Sequence, residues 1–219
     1  MTKHRSQVEP VPRWLKLLYT VLVCTLAPVF VWEYGFSNFL WFSNIILIAT
    51  LVGIWLRSRL LISMMALAGI LPELGWNIAF WGGLLFDLEF FGLVSYMFDE
   101  RIPLWTRALS LYHVPLPFLL VWMVWRIGYD RRALVWQTLL AWVVLLVSFV
   151  VTDPFVNINL VYGLVDAQGR PHLAPPLTLL ALMAGVPLII YWPTHAFLDR
   201  FSARSTRGGA SGGNSGASR

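Results

Sequence analysis

Apolar residues run along this chain in six stretches of about twenty residues, separated by short polar segments. That length suits an α-helix crossing a hydrocarbon core of about 30 Å. The pattern predicts spans at Leu15–Val31, Phe39–Leu56, Leu60–Trp81, Ala108–Ile127, Leu134–Val151 and Leu177–Thr194. Only Arg57, Ser58 and Arg59 separate the second from the third, so these two form an antiparallel hairpin. The first follows a basic segment as a signal peptide would, but no small-x-small cleavage site comes after it, and it is read as an uncleaved helix.

Gly83–Phe98 is apolar enough to suggest a seventh span, but it is short and carries Asp87 and Glu89. Charge decides against it. With six spans and both termini on one side, 13 of the 16 Lys and Arg residues share that side, leaving Arg101, Arg107 and Arg170 opposite. A seventh span gives 9 against 7, which discards the Lys/Arg bias that orients short-loop membrane proteins. Gly83–Phe98 is therefore expected to be an outer interfacial or re-entrant helix, tolerable in the latter case only if protein covers its backbone. The predicted fold class is all-α: a polytopic transmembrane helix bundle of six spans plus one interfacial or re-entrant helix. The bias predicts a multi-pass protein of the cell inner membrane with both termini cytoplasmic.

Composition agrees. Of 219 residues 58% are hydrophobic and 12% charged, with a mean hydropathy of +0.69, outside the range of soluble domains. The formal charge of +5 and pI near 9.7 belong to inner-leaflet anchoring rather than nucleic acid, so the expected partners are the lipid bilayer, a lipid or small-molecule ligand and a second membrane protein, with no nucleic acid. Trp14, Trp32, Trp41, Trp55 and Trp81 fall near proposed span ends, as an aromatic belt would, whereas Trp76, Trp122, Trp125, Trp136 and Trp142 lie deeper and are expected to pack between helices. The single cysteine, Cys24, sits mid-span and is read as a small lipid-facing or packed residue. Residues 1–201 are expected to form one membrane domain. The Gly- and Ser-rich residues 202–219 have too little apolar surface to repay ordering and are expected to be a disordered cytoplasmic tail.

The polar residues inside or beside the spans fall toward one face. Glu73 and Asn77 are four apart on the third helix and share a side of it. Asn44 lies about one turn below the same boundary, and His113 lies near the start of the fourth span, followed by Pro115 and Pro117, which loosen the backbone ladder. Asp87 and Glu89 occupy the doubtful helix, while Asp153, Asn157 and Asn159 follow the exit of the fifth span. His113, Glu73 and Asp87 are the catalytic candidates; Asn44, Asn77, Glu89, Asp153, Asn157 and Asn159 are the binding candidates. A carboxylate buried in a membrane must be protonated or paired, and imidazole is the side chain that changes charge near neutral pH. Each candidate also has a structural alternative: a hydrogen bond from Glu73 to Asn77, Asn44 or His113, an acid shown to water at Asp87 and Glu89, loop packing at Asn157 and Asn159.

The short spacings of metal and phosphate sites are missing: HExxH, GxSxG, a Gly-rich phosphate loop, a cysteine pair. No metal and no cofactor is expected. Nucleotide cofactors are cytoplasmic, and the cytoplasmic face holds mainly Arg and Lys.

The segments SLYHVPLP, GYDRRAL and NINLVYG, within a stretch from about Asn38 to Gly163, resemble a family of small bacterial multi-spanning integral membrane proteins. The resemblance implies a membrane-embedded helical protein whose recurring pattern includes His113, Pro115, Gly128, Tyr129, Asp130, Arg131, Arg132, Asp153, Asn157 and Asn159, and it transfers no mechanism. Read physically, Gly128 ends one helix, Asp130 caps the next, and Arg131 with Arg132 pin the boundary. Three functional readings stay open: a polar site for a small solute or lipid headgroup facing the periplasm, an enzyme acting on a lipid, and a small-solute transporter or assembly factor.

Overall fold

A computed structural model describes residues 11–88, 92–164 and 172–210, the last eight by backbone alone. These residues form an all-α bundle in which five apolar helical segments are long enough to cross a membrane and a sixth is shorter. In chain order the long ones are α1 (Arg13–Tyr34), α3 (Arg59–Phe86), the run Leu104–Ile127, α6 (Ala133–Val151) and the run Pro175–Ser202. The run Leu104–Ile127 comprises α4 (Leu104–Leu109), a 3₁₀ turn over Ser110–His113 and α5 (Leu116–Ile127). The last run comprises α7 (Pro175–Gly185), a π-helical stretch over Val186–Tyr191 and α8 (Trp192–Ala210). α8 thus enters the tail expected from residue 202; the rest of that tail lies outside the described residues.

The short helix is α2 (Phe42–Leu56), whose 15 residues rise only about 22 Å at 1.5 Å each. Its expected first turn is missing because Gly35, at φ 75°, breaks the chain and Phe36–Leu40 winds as 3₁₀. A distant residue starts α2 instead: the Asn159 Oδ1 accepts from the Phe42 backbone N–H at 3.0 Å while its Nδ2 donates to the Leu40 carbonyl at 2.7 Å. Helix starts leave N–H groups without ladder partners, and here a loop residue takes one from across the bundle.

The α2–α3 hairpin forms as its turn dictates. Arg57 closes α2 in the left-handed conformation, and the Ser58 Oγ accepts from the Leu61 N–H at 3.2 Å to start α3. α3 is the centre of the bundle, buried along most of its length. Gly69 lets its neighbours approach: a Cβ there would come within 2.8 Å of Leu120 on α5 and 3.3 Å of Ile46 on α2.

The expected helix Gly83–Phe98 does not form as a unit. Gly83–Phe86 continue α3, because nothing in Gly-Leu-Leu-Phe interrupts the ladder until Asp87 turns left-handed at φ 54°. The Asp87 and Leu88 N–H groups then bond back to the Gly83 and Gly82 carbonyls, a Schellman-type stop. Beyond the undescribed residues 89–91, only a single 3₁₀ turn, Ser95–Met97, follows.

Two of the prolines inside the spans each free a carbonyl four residues back that a neighbouring helix satisfies. Pro187 removes the donor to the Met183 carbonyl, and the Trp142 Nε1 donates to it at 2.8 Å. Pro117 does the same to the His113 carbonyl, which takes the Asn77 amide. The tryptophan expectation divides: Trp76 is buried, but Trp125, Trp136 and Trp142 are exposed on the outer surface of the bundle, because the apolar solvent there is lipid and a ring need not be sheltered from it. Cys24 is exposed in the same way.

The bundle has two unlike ends. At one, Lys16 lies over the Trp55 ring, Arg59 hydrogen-bonds the Tyr129 carbonyl, and Arg131 grips the Asp199 carboxylate of α8. Gly128 ends α5 at φ 91°, and Asp130 accepts from the Arg132 backbone N–H just ahead of α6. The Tyr129 hydroxyl hydrogen-bonds the His195 Nδ1 at 2.8 Å, and burial, with Asp199 and Asp130 nearby, pushes that phenol's pKa up. The GYDRRAL segment, which connects α5 to α6, therefore also ties in α3 and α8. The other end carries the loops after α1, α3 and α6.

Candidate functional site

α3 presents Glu73, Trp76, Asn77 and Phe80 at positions i, i+3, i+4 and i+7, one stripe of a helix. The 3₁₀ turn ahead of α5 carries Tyr112 and His113 into that stripe. There the His113 Nδ1 lies 2.5 Å from the Glu73 Oε2, with Glu73 only 3% and His113 only 8% exposed. The Asn77 Nδ2 uses both hydrogens, donating to the Glu73 carbonyl at 2.8 Å and to the His113 carbonyl at 2.9 Å. One side chain thereby fixes both members of the pair: it binds the backbone of each.

Aromatic rings enclose the imidazole. Trp76 stacks on one side with ring centroids 4.7 Å apart, and Tyr112 stacks on the other at 4.1 Å. Phe80 stacks behind Trp76, and the turn Ser95–Met97 covers the group, with the Trp76 Nε1 donating to the Tyr96 hydroxyl at 3.2 Å. A hydrogen bond gains strength where water is scarce, and a carboxyl group on Nδ1 sets the orientation of the ring.

A polar thread leads away from this pair along the same end of the bundle. The Tyr112 hydroxyl donates to the Asn44 Oδ1 at 3.2 Å, and the Asn44 Nδ2 donates to the Asn38 carbonyl at 2.8 Å. Asn38 belongs to the 3₁₀ turn whose last residue, Leu40, is held by Asn159. Asn44, Asn77, Glu73 and His113 are thus brought together, and Asn159 is reached only through backbone.

The remaining candidates lie apart. Asn157 is occupied by its own loop: it donates to the Gly163 carbonyl and accepts from the Tyr162 N–H, at 2.8 and 2.9 Å. Both asparagines adopt left-handed backbone conformations, which asparagine tolerates better than most residues. Asp153 accepts from the Phe155 N–H as a turn residue, and Asp87 is the exposed C-cap of α3. Glu89 lies outside the described residues.

Sequence reasoning missed the aromatic enclosure, although its signal was present. Trp76 shares the helical stripe of Glu73 and Asn77, and Tyr112 precedes His113. It also missed the Tyr129–His195 contact and the Arg131–Asp199 pair, which join segments far apart in the chain.

Chemically, a carboxylate–imidazole pair can hold and pass a proton or donate to an oxyanion. Among the described residues no group of three His, Cys, Asp or Glu side chains gathers to ligate a metal. No Ser, Thr or Cys among them hydrogen-bonds His113 in the manner of an activated nucleophile. Toward the basic end lies an apolar layer of Met65, Ala66, Ile70, Leu120 and Met123, none more than 4% exposed. No family model matches the chain, and comparison with curated proteins and with solved structures finds no match.

Proposed function

We propose that this multi-pass membrane protein resides in a bacterial inner membrane with both termini cytoplasmic, and that Glu73, Asn77 and His113 form a periplasm-facing polar site for a small solute or a lipid headgroup. The observation that carries this reading is the buried Glu73–His113 pair at the end of the bundle away from Arg59, Arg131 and Arg132. A structural tie between two apolar helices needs no ionisable pair, since well-packed apolar residues of similar volume serve as well or better. Retaining a carboxylate and an imidazole there supports a role in recognising or protonating something.

Among the alternatives, the apolar layer beneath the pair argues against a route for solutes across the bundle. A lipid-directed enzyme is the second reading, favoured by the acid–base character of the pair.

The test is to purify the wild type, Glu73→Gln and His113→Ala with co-extracted lipid and expose each to a panel of phospholipids in detergent. Native mass spectrometry reads retained lipid, and chromatography of the lipids reads any product. The wild type is expected to retain one headgroup class at least ten-fold better than either variant. Equal retention and equal product in all three would sink the assignment of these residues.

A further inference from the structure

We propose that Arg107, with Thr106 beside it, forms a second binding site, for the oxyanion of a phosphate group, on the end of the bundle that carries Glu73 and His113. It is separate from that pair and does not depend on it.

Three other arginines show how this chain uses the guanidinium. Arg101 holds Asp99 through Nε and Nη2, at 2.9 and 2.8 Å. Arg131 holds Asp199 by the same edge at 2.5 and 2.9 Å, and Arg132 holds Asp130 by it at 3.1 and 2.8 Å. Arg107 differs. Its Nη1 donates to the Met97 carbonyl at 2.9 Å, which anchors the head group, while its Nε is buried and has no hydrogen-bond partner among the described residues. The edge that grips a carboxylate in the other three is therefore uncommitted in Arg107.

The acid that could pair with it is engaged. Arg107 acts electrostatically on Asp99, yet both oxygens of that acid accept from Arg101, whose hydrogen bonds pull the Asp99 carboxyl down to about 2. At neutral pH Asp99 is a carboxylate already in use.

Thr106 provides the independent observation. It is only 4% exposed, and its Oγ1 is buried without a partner among the described residues. A buried guanidinium N–H and a buried hydroxyl at adjacent positions are costly to leave unpaired, and both donate. An oxyanion satisfies both, and the planar guanidinium edge suits two oxygens of one phosphate.

Placement favours a lipid as the source. Leu104 and Trp105, just ahead on α4, are 73% and 54% exposed on a segment that begins a membrane span. Arg107 sits within one turn of them, at the depth where an aromatic side chain meets headgroups.

The test uses the full chain in a phosphate-free glycoside detergent, titrated separately with inorganic phosphate and with short-chain phosphatidylglycerol. Calorimetry gives the affinity, and the Arg107 Nε–H resonance, assigned by its loss in Arg107→Lys, reports engagement of that edge. At least one probe is expected to bind and shift that resonance. Binding of the lipid alone identifies a headgroup site, and binding of inorganic phosphate a site open to free anions. Arg107→Gln is expected to weaken binding at least ten-fold and Thr106→Val about three-fold, with Arg132→Gln at the opposite end leaving it unchanged. If Arg107→Gln does not fold, Arg107→Lys carries the comparison, since it keeps the charge and loses the fork. No binding of either probe, or equal weakening by Arg107→Gln and Arg132→Gln, would overturn the proposal.

Discussion

Replacing His113 with alanine is expected to destabilise the bundle by about 3–5 kcal/mol, the cost of truncating a large buried side chain and leaving its hydrogen-bond partner unsatisfied. Two losses act together. Glu73, 3% exposed, loses its side-chain hydrogen-bond partner, and the space between Trp76 and Tyr112 is emptied. The unpaired group adds to the cost of the cavity, because a buried carboxyl group cannot recover its water without opening the bundle. The pair is therefore expected to be strongly coupled. Glu73→Leu combined with His113→Leu should lose far less than His113→Ala alone, since it removes both polar partners together and restores apolar volume. Denaturant unfolding in detergent, followed by tryptophan fluorescence, measures both variants against the wild type. A double variant that loses as much as His113→Ala would mean that the two side chains act independently.

Asn77→Leu carries the second-largest effect, about 1–3 kcal/mol, and its origin can be isolated. Asn77 donates to two carbonyls, but the loss is unequal between them. The Glu73 carbonyl keeps its own helical donor four residues on. The His113 carbonyl has none, because residue 117 is proline. Leucine has the branched outline of asparagine and is larger, so the change removes donors without opening a cavity, and the buried acceptor left unpaired is the part of the cost that a new donor can restore. Pro117→Ala returns an N–H at the position from which the helix would normally supply it. In that background Asn77→Leu is expected to lose less than half as much stability as in the wild type. An undiminished loss would place the function of Asn77 elsewhere than on the His113 carbonyl.

The spans were readable because continuous apolar runs of membrane-crossing length have one favourable state in a bilayer. The Arg57–Arg59 turn was readable for an equally local reason, the shortness of the connection. Two boundaries were misplaced, one by a contact distant in the chain and one by a local turn. α2 starts three residues later than its apolar run because Gly35 breaks the chain and Asn159, over a hundred residues away, holds the Phe42 N–H. α3 runs on to Phe86 because Gly82 and Gly83 do not stop a helix by themselves; the left-handed turn at Asp87 does.

For the candidate site, depth and the helical period together pointed to Glu73, Asn77 and His113, since polar groups inside spans are expensive and few. Their pairing was not legible. Which face of α3 meets α5 depends on packing at Gly69, Leu120 and Ile46, and no periodicity encodes that rotation. Asn157 and Asn159 show the opposite limit. Their spacing suited a binding loop, yet their amides close that loop and start α2, because carbonyl and N–H groups near a membrane must find partners.

The central claim is that Glu73 and His113 lie toward the periplasm and the Arg59–Arg131 end toward the cytoplasm. Cysteine accessibility in intact cells tests it most directly, on a Cys24→Ala background that removes the native thiol. Glu100→Cys lies in the exposed turn ahead of α4 and Arg200→Cys lies on the exposed side of α8. A membrane-impermeant maleimide is predicted to label Glu100→Cys in intact cells and Arg200→Cys only after permeabilisation. The reverse pattern would place Glu73 and His113 at the cytoplasmic face and contradict the account.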